Sequence, residues 1–190
     1  MPREFQFKIM KIIDNFLEPY YFDYLSDCVN NQSFQWKYQK NVSTFSQGDD
    51  GWLHGLSHGL YDPQYGMDFQ TEKSEIWIPV ILKIEQDLIG SKASLLRARL
   101  DMTVKSPPGT IHTPHQDLKQ PHWTTIFYLN DADGDTVIYN ETERSDNYTI
   151  KDIITPKKNR IICFDGSHFH TGHSPSKCSN RILMNSNFIK

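Results

Sequence analysis

Arg97-Ala98-Arg99-Leu100-Asp101-Met102-Thr103-Val104-Lys105, followed by Ser106-Pro107-Pro108-Gly109, is the stretch on which the fold turns. Polar and apolar residues alternate without a break, which is the period of a β-strand with one face buried. The Pro-Pro-Gly run then stops it as a turn. The same grammar repeats downstream, with strands expected at 112–117, 124–130, 136–140, 148–154, 160–165, 167–171 and 181–188. Asp-Gly, Ser-Asp-Asn and Pro-Lys-Lys-Asn turns separate them. Short strands at this spacing predict an antiparallel sandwich or jelly roll.

Upstream the period changes. Alternation over 5–13 predicts an opening strand. Phe16-Leu17-Glu18-Pro19 reads as a helix entry, with Pro19 in the first turn where its missing N–H costs nothing. Tyr20, Tyr24, Leu25 and Cys28 follow at helical spacing, and Asn30-Asn31 supplies the stop. A second helix is expected over 74–89, capped by Ser74, striped by Trp77, Ile81, Ile84 and Leu88, and ended by Gly90. Between them, 39–70 is rich in Gly, Ser, Asp and Asn and reads as a long mobile loop bordering a substrate cleft. His54 and His58 would share a helical face there, but Gly51, Gly55 and Gly59 argue against the helix that would make them a metal pair.

The 190 residues fit a single domain, α+β and mainly β. An N-terminal strand, helices and loop fill about 1–94, with the helices packed on one face of a double-stranded β-helix (jelly roll) core over about 95–190. A net charge of −3 offers no broad attraction for phosphate backbones, which disfavours nucleic acid as a partner without excluding it. Cys28, Cys163 and Cys178 form no CxxC and read as free thiols of a reducing compartment. With no cleavable leader and no apolar run of spanning length, the expectation is a soluble, intracellular, cytoplasmic protein with no membrane partner. Nothing in the sequence sets an oligomeric state.

Chemistry concentrates late in the chain. His115-Gln116-Asp117 is the sequence's HxD, and on a strand its two ends share a face. One imidazole and one carboxylate make two thirds of a 2-His-1-carboxylate facial triad, the site of non-haem Fe(II) oxygenases. His168, His170 and His173 are all candidates for the third ligand, and alternation cannot separate His168 from His170. Arg181 opens the last strand. Asp131-Ala132-Asp133-Gly134-Asp135 imitates a calcium loop, but an EF-hand needs Gly sixth and Glu twelfth, where this chain has Thr136 and Thr142. A hairpin turn is expected there instead.

The ordered set His115, Asp117, His170, Arg181 resembles the 2-oxoglutarate/Fe(II)-dependent dioxygenases, and within them the prolyl-4-hydroxylase-like branch. Ile126-Phe127-Tyr128-Leu129-Asn130 and Phe164-Asp165-Gly166 fit the same pattern, while Asp133-Gly134-Asp135-Thr136 stands where many relatives read Gly-Gly-Glu-Thr. The resemblance implies His115, Asp117 and His170 as catalytic metal ligands, and Arg181 and Tyr128 as the binders of the far carboxylate of 2-oxoglutarate. It implies Fe(II), 2-oxoglutarate as cosubstrate and O2, and admits ascorbate. The implied activity is hydroxylation of a C–H bond with decarboxylation of 2-oxoglutarate to succinate. The implied substrate is a peptidyl proline or another protein side chain, with a nucleobase or small metabolite as the alternative. A cupin-like Zn or Mn protein, either an isomerase or a binding module without oxygenase activity, is the competing class. Arg181 discriminates against it, because such a site needs no cosubstrate anchor.

Overall fold

Strand β10 (Asn180–Ile189) organises the molecule because its two faces carry different chemistry. Ile182, Met184 and Phe188 point one way, and Arg181, Leu183, Asn185 and Asn187 the other. The structure, a computed structural model, describes residues 10–42, 53–69, 72–90 and 94–190. In chain order the remaining elements are β1 (Lys11–Ile13), α1 (Pro19–Asn30), β2 (Lys37–Gln39), β3 (Gly55–Tyr61), α2 (Glu72–Glu75) and α3 (Ile78–Ile84). Then follow β4 (Leu95–Val104), β5 (His122–Tyr128), β6 (Thr136–Tyr139), β7 (Ile150–Ile154), β8 (Arg160–Asp165) and β9 (His170–Gly172).

These strands form a seven-stranded sheet, β1-β8-β5-β10-β4-β3-β2, and a three-stranded sheet, β7-β6-β9. Every pairing is antiparallel, so the fold is mostly β with few helices, as a jelly roll requires. On one face of the large sheet, Leu100, Phe127, Ile161, Met184 and Phe188 pack with Phe22, Leu25 and Val29 of α1 and with Val80 and Ile84 of α3. Burying each such side chain contributes about 1.5–3 kcal/mol. On the other face, Ile126, Tyr128, Ile162, Phe164 and Leu183 meet Ile138 and Ile154 of the small sheet. Beside that second core, the inner face of β10 and β4 turns polar.

Several expectations need correction. The stretch 39–70 is not one long loop, since β3 occupies Gly55–Tyr61 and pairs with β2 and β4. Gly55 and Gly59 disfavour a helix but suit a strand in close quarters: a Cβ on Gly55 would collide with the Met102 carbonyl, and one on Gly59 with the Met67 sulfur. Residues 43–52 of that stretch lie outside the described residues, as do 5–9 of the expected first strand. The helix expected over 74–89 is broken. Pro79 cannot donate inside a helix, so α2 ends at Glu75, a new helix starts at Ile78, and the last turn widens to a π-helix over Glu85–Ile89. Ser74 lies inside α2 rather than capping it. Trp77, Ile81, Ile84 and Leu88 are all buried, and Gly90 ends the run at φ 105°. Asp131–Asp135 is not a hairpin turn, because β5 and β6 belong to different sheets. Asp133 instead accepts hydrogen bonds from Ser176 N, Lys177 N and Cys178 N at 2.9–3.0 Å, tying this crossing to the loop before β10.

Candidate active site

His115 and Asp117 do not sit on a strand. The segment 111–117 pairs with 170–173 through isolated bridges, Ile111 to His173 and His115 to His170, and not as a continuous ladder, since Pro114 has no N–H to offer one. One bridge is decisive. His115 N donates to His170 O and His170 N to His115 O, both at 2.9 Å, which sets the two histidines opposite each other with their side chains on one side. Their rings lie 4.7 Å apart. Gln116, between the two predicted ligands, turns away and donates to the carbonyls of Thr142 and Ser167.

Asp117 completes the cluster. One ligand atom from each of His115, Asp117 and His170 lies within 4.8 Å of the others. The carboxylate stands 3.9 Å from His115 Nε2 and 3.7 Å from His170 Nε2. Each imidazole has Nδ1 against the carbonyl two residues earlier, His115 on Thr113 O at 3.2 Å and His170 on His168 O at 3.4 Å. Only a protonated Nδ1 can donate to a carbonyl, so in both rings the lone pair is left on Nε2, the atom facing the cluster. Burial pulls His170 down to about 4 against the pull of Asp117, so it is neutral at neutral pH. Burial pushes the Asp117 carboxyl up, but the neighbouring His170, Arg97, His115 and Arg99 together outweigh it and hold it well below the usual range. Two imidazoles and an ionised carboxylate suit a divalent metal of the Fe(II) type.

The polar face of the large sheet holds Asp117 in place, and here the sequence reading missed the residues involved. Arg97 Nη2 donates to Oδ1 at 3.0 Å, while Oδ2 accepts from Asn185 at 3.1 Å, Asn187 at 2.9 Å and Thr124 at 3.3 Å. The available signal was Asn185 and Asn187, two amides at period two in a strand that is buried along nearly its whole length.

A cavity of about 230 Å³ runs from the cluster along β4 and β10 to Arg181. Arg181 is 4% exposed and has no carboxylate within ion-pair distance among the described residues. Burial pulls its guanidinium below the usual value, though an arginine stays charged. Its Nη2 donates to Thr136 Oγ1 at 2.6 Å, and Nε has no partner. Tyr128 OH also donates to Thr136 Oγ1, at 2.7 Å, and Tyr128 is not among the cavity-lining residues. The predicted cosubstrate tyrosine therefore stands behind Thr136 and Arg181, with the guanidinium carbon 5.6 Å from its ring centre. The Thr136 hydroxyl accepts two bonds, and its own proton has no acceptor among the described residues. Thr103, opposite Arg181 across β4 and β10, also lines the cavity with a buried hydroxyl that lacks a partner. A buried cation and two hydroxyls with unspent donors face one space, and that fits an anion such as the far carboxylate of 2-oxoglutarate.

The other histidines singled out in the sequence lie elsewhere. His168 Nε2 is 2.8 Å from Lys151 Nζ, and His173 follows β9. His58 meets Gln35 O at 2.8 Å, and His54 lies beside the Tyr38 ring at 6.1 Å. None of these four belongs to the cluster.

Residues 102–189 match the family model described as the 2OG-Fe(II) oxygenase superfamily. No curated protein sequence matches the chain. Among solved structures, an oxidoreductase of the 2OG-Fe(II) oxygenase family from Burkholderia pseudomallei is 12% identical, with 95% of this chain and 84% of that one covered at a TM-score of 0.71. The epimerase SnoN, solved with Fe3+, alpha ketoglutarate and nogalamycin RO, is 11% identical over 95% of this chain and 78% of its own, at 0.63. A prolyl hydroxylase from Trichoplax adhaerens, in complex with a hypoxia inducible factor peptide fragment, is 17% identical over 95% and 83%, at 0.59. At these identities the likeness is one of fold. Among the described residues no helix is long and apolar enough to cross a membrane.

Proposed function

We propose that the chain, whose residues 102–189 match the 2OG-Fe(II) oxygenase superfamily model, is an oxidoreductase that works with Fe(II), 2-oxoglutarate and O2 and hydroxylates a C–H bond, with His115, Asp117 and His170 as the iron ligands and Arg181 as the anchor of 2-oxoglutarate. The observation that carries this reading is the pairing of the two His and one Asp with a buried arginine that has no carboxylate within ion-pair distance among the described residues, all in one cavity. A cupin-like metal protein has no use for such an arginine.

When bound, Fe(II) with 2-oxoglutarate supplies the oxidising power, coupling O2 reduction and decarboxylation to hydrogen abstraction. The chain's own residues do the positioning. Nδ1 of each histidine is held by a backbone carbonyl, so both Nε2 lone pairs are aimed before any metal arrives. Arg97, Asn185, Asn187 and Thr124 keep Asp117 ionised and fixed in rotamer. Arg181 and the hydroxyls of Thr136 and Thr103 receive the far carboxylate, and Tyr128 orients Thr136. With that end anchored, the 2-oxo acid end is directed along the cavity toward the three ligands.

Anaerobic Fe(II) and 2-oxoglutarate together should give a weak visible charge-transfer band. Asp117→Ala or His170→Ala should abolish it, and Arg181→Ala should raise the 2-oxoglutarate concentration needed to develop it. An intact protein that gives no band, or a band indifferent to these changes, overturns the proposal.

A further inference from the structure

Two charged residues line the same cavity and make no hydrogen bond to the three proposed metal ligands or to Arg181 and its hydroxyl partners. Arg99 and Asp101 lie two apart on β4, on the face that carries Arg97 and Thr103. Arg99 stands opposite Asn185, whose amide holds Asp117, so the pair borders the reacting centre. Asp101 stands opposite Ser57 on the other side, and Ser57 also lines the cavity. Their side chains are 36% and 24% exposed, neither free in solvent nor closed off.

The contact between them is single. Arg99 Nε donates to Asp101 Oδ2 at 2.8 Å. A guanidinium carries five N–H donors and a carboxylate two oxygens. Among the described residues the terminal nitrogens of Arg99 and Oδ1 of Asp101 make no further hydrogen bond, while the more distant Asp117 and Asp62 carboxylates also act on the Arg99 charge. A half-used ion pair at the mouth of a reactive cavity complements a ligand carrying the reverse pair. Its carboxylate would dock two-pronged on the Arg99 terminal nitrogens, and its ammonium on Asp101. An apolar ring such as that of a peptidyl proline would instead desolvate both charges and return no hydrogen bond.

We propose that Arg99 and Asp101 are the specificity-determining clamp for the primary substrate, and that the group they hold is the carboxylate and ammonium of a free α-amino acid. The proposal rests on the oxygenase reading above. Ser57 and Gln39, joined at 2.9 Å and both lining the cavity, form the polar wall beside the clamp.

The test is succinate formation by the Fe(II)-loaded protein with 2-oxoglutarate and O2, across the proteinogenic L-amino acids. Each is offered free, N-acetylated, and as its carboxamide. At least one free amino acid should stimulate turnover, and blocking either end should raise its KM by about 10–100-fold, the weight of one charge-assisted contact. Asp101→Asn should erase the preference for the free amine over the N-acetyl form, and Arg99→Met the preference for the carboxylate over the carboxamide. Both changes should appear in KM rather than kcat, a pattern that a merely structural role would not produce. The proposal is overturned if capped and free forms act alike, if no amino acid stimulates, or if both variants keep the wild-type preferences. The anaerobic band of the wild-type protein separates the two levels. A band with a failed panel removes the clamp alone, and no band removes the oxygenase reading with it.

Discussion

Replacing Arg181 with Met separates a structural arginine from a cosubstrate anchor, because the two roles predict opposite signs for stability. In the free protein the guanidinium is buried, its Nε is unpaired and its contact is with a hydroxyl. Removing such a charge gains up to about 3 kcal/mol of avoided desolvation. The loss of one donor to Thr136 costs about 1 kcal/mol, softened because Tyr128 still donates to it. The variant without ligand should therefore be no less stable than the wild type. With ligand the order reverses. For Mn(II)-loaded protein kept free of O2, 2-oxoglutarate at about 100 times its Kd should stabilise the wild type by about 2.7 kcal/mol. For a chain of this size that is roughly 5–11 °C in Tm. A lost charge-assisted contact of about 1.5–3 kcal/mol weakens Kd roughly 10–150-fold. At the same concentration the variant should then keep only about 0.3–1.4 kcal/mol. Thermal unfolding with and without 2-oxoglutarate measures both quantities. A variant destabilised by more than about 2 kcal/mol that keeps the full ligand increment would refute the reasoning, since Arg181 would then be part of the scaffold.

Asn187→Ala removes one donor to Asp117 and one contact to Thr124, and should weaken Co(II) binding, measured by titration, about 10–100-fold with an unchanged far-UV spectrum. Unaltered affinity would show that the carboxylate is held without it. Burial pushes the Cys163 thiol up to about 12, so at pH 8.5 native protein should be alkylated at Cys28 and Cys178, with Cys163 reacting only after unfolding. Labelling of all three thiols in the native state contradicts that. Asp14 is held down to about 2, foremost by the hydrogen bond from Arg160, with burial opposing and Lys157 adding to the pull. A depressed carboxyl contributes stability that is fully present above its unfolded value of about 4 and is lost as pH falls toward 2. Because the group is near the surface, Asp14→Asn should cost only about 0.5–1 kcal/mol at pH 7. In urea unfolding that gap should close by pH 2, and a gap of constant size would show that the pair is not its source.

What the sequence carried was local periodicity and chemical type. Alternation over 97–105 needs only neighbouring residues to be read, and β4 is present there; the strand expected over 181–188 is present as β10. Pro19 opening α1 and Gly90 closing the second helical run are backbone constraints of single residues, and they too were legible. The order His115, Asp117, His170, Arg181 was visible because each residue type is unusual in its setting. The strand β3 was not, because glycine's weak preference for any conformation hides a segment whose place is set by close approach to β4 and to Met67.

For the site itself, the residue types came from the sequence and their partners from the fold. The sequence reading placed His115 and Asp117 together by treating 112–117 as a strand. The structure brings them together by a bridge to His170 and a bend, a pairing between residues 55 apart that no local pattern encodes. The same holds for Arg97, Asn185 and Asn187 around Asp117, and for Thr103 and Thr136 beside Arg181. Each looks like an ordinary polar residue until β4 and β10 are set in register. Local sequence determined which residues could do chemistry, since backbone preference and side-chain type are properties of a residue and its neighbours. Only the tertiary structure decided which of them meet, because register between distant strands, and the burial that leaves Arg181 with no carboxylate within ion-pair distance among the described residues, are properties of the whole sheet.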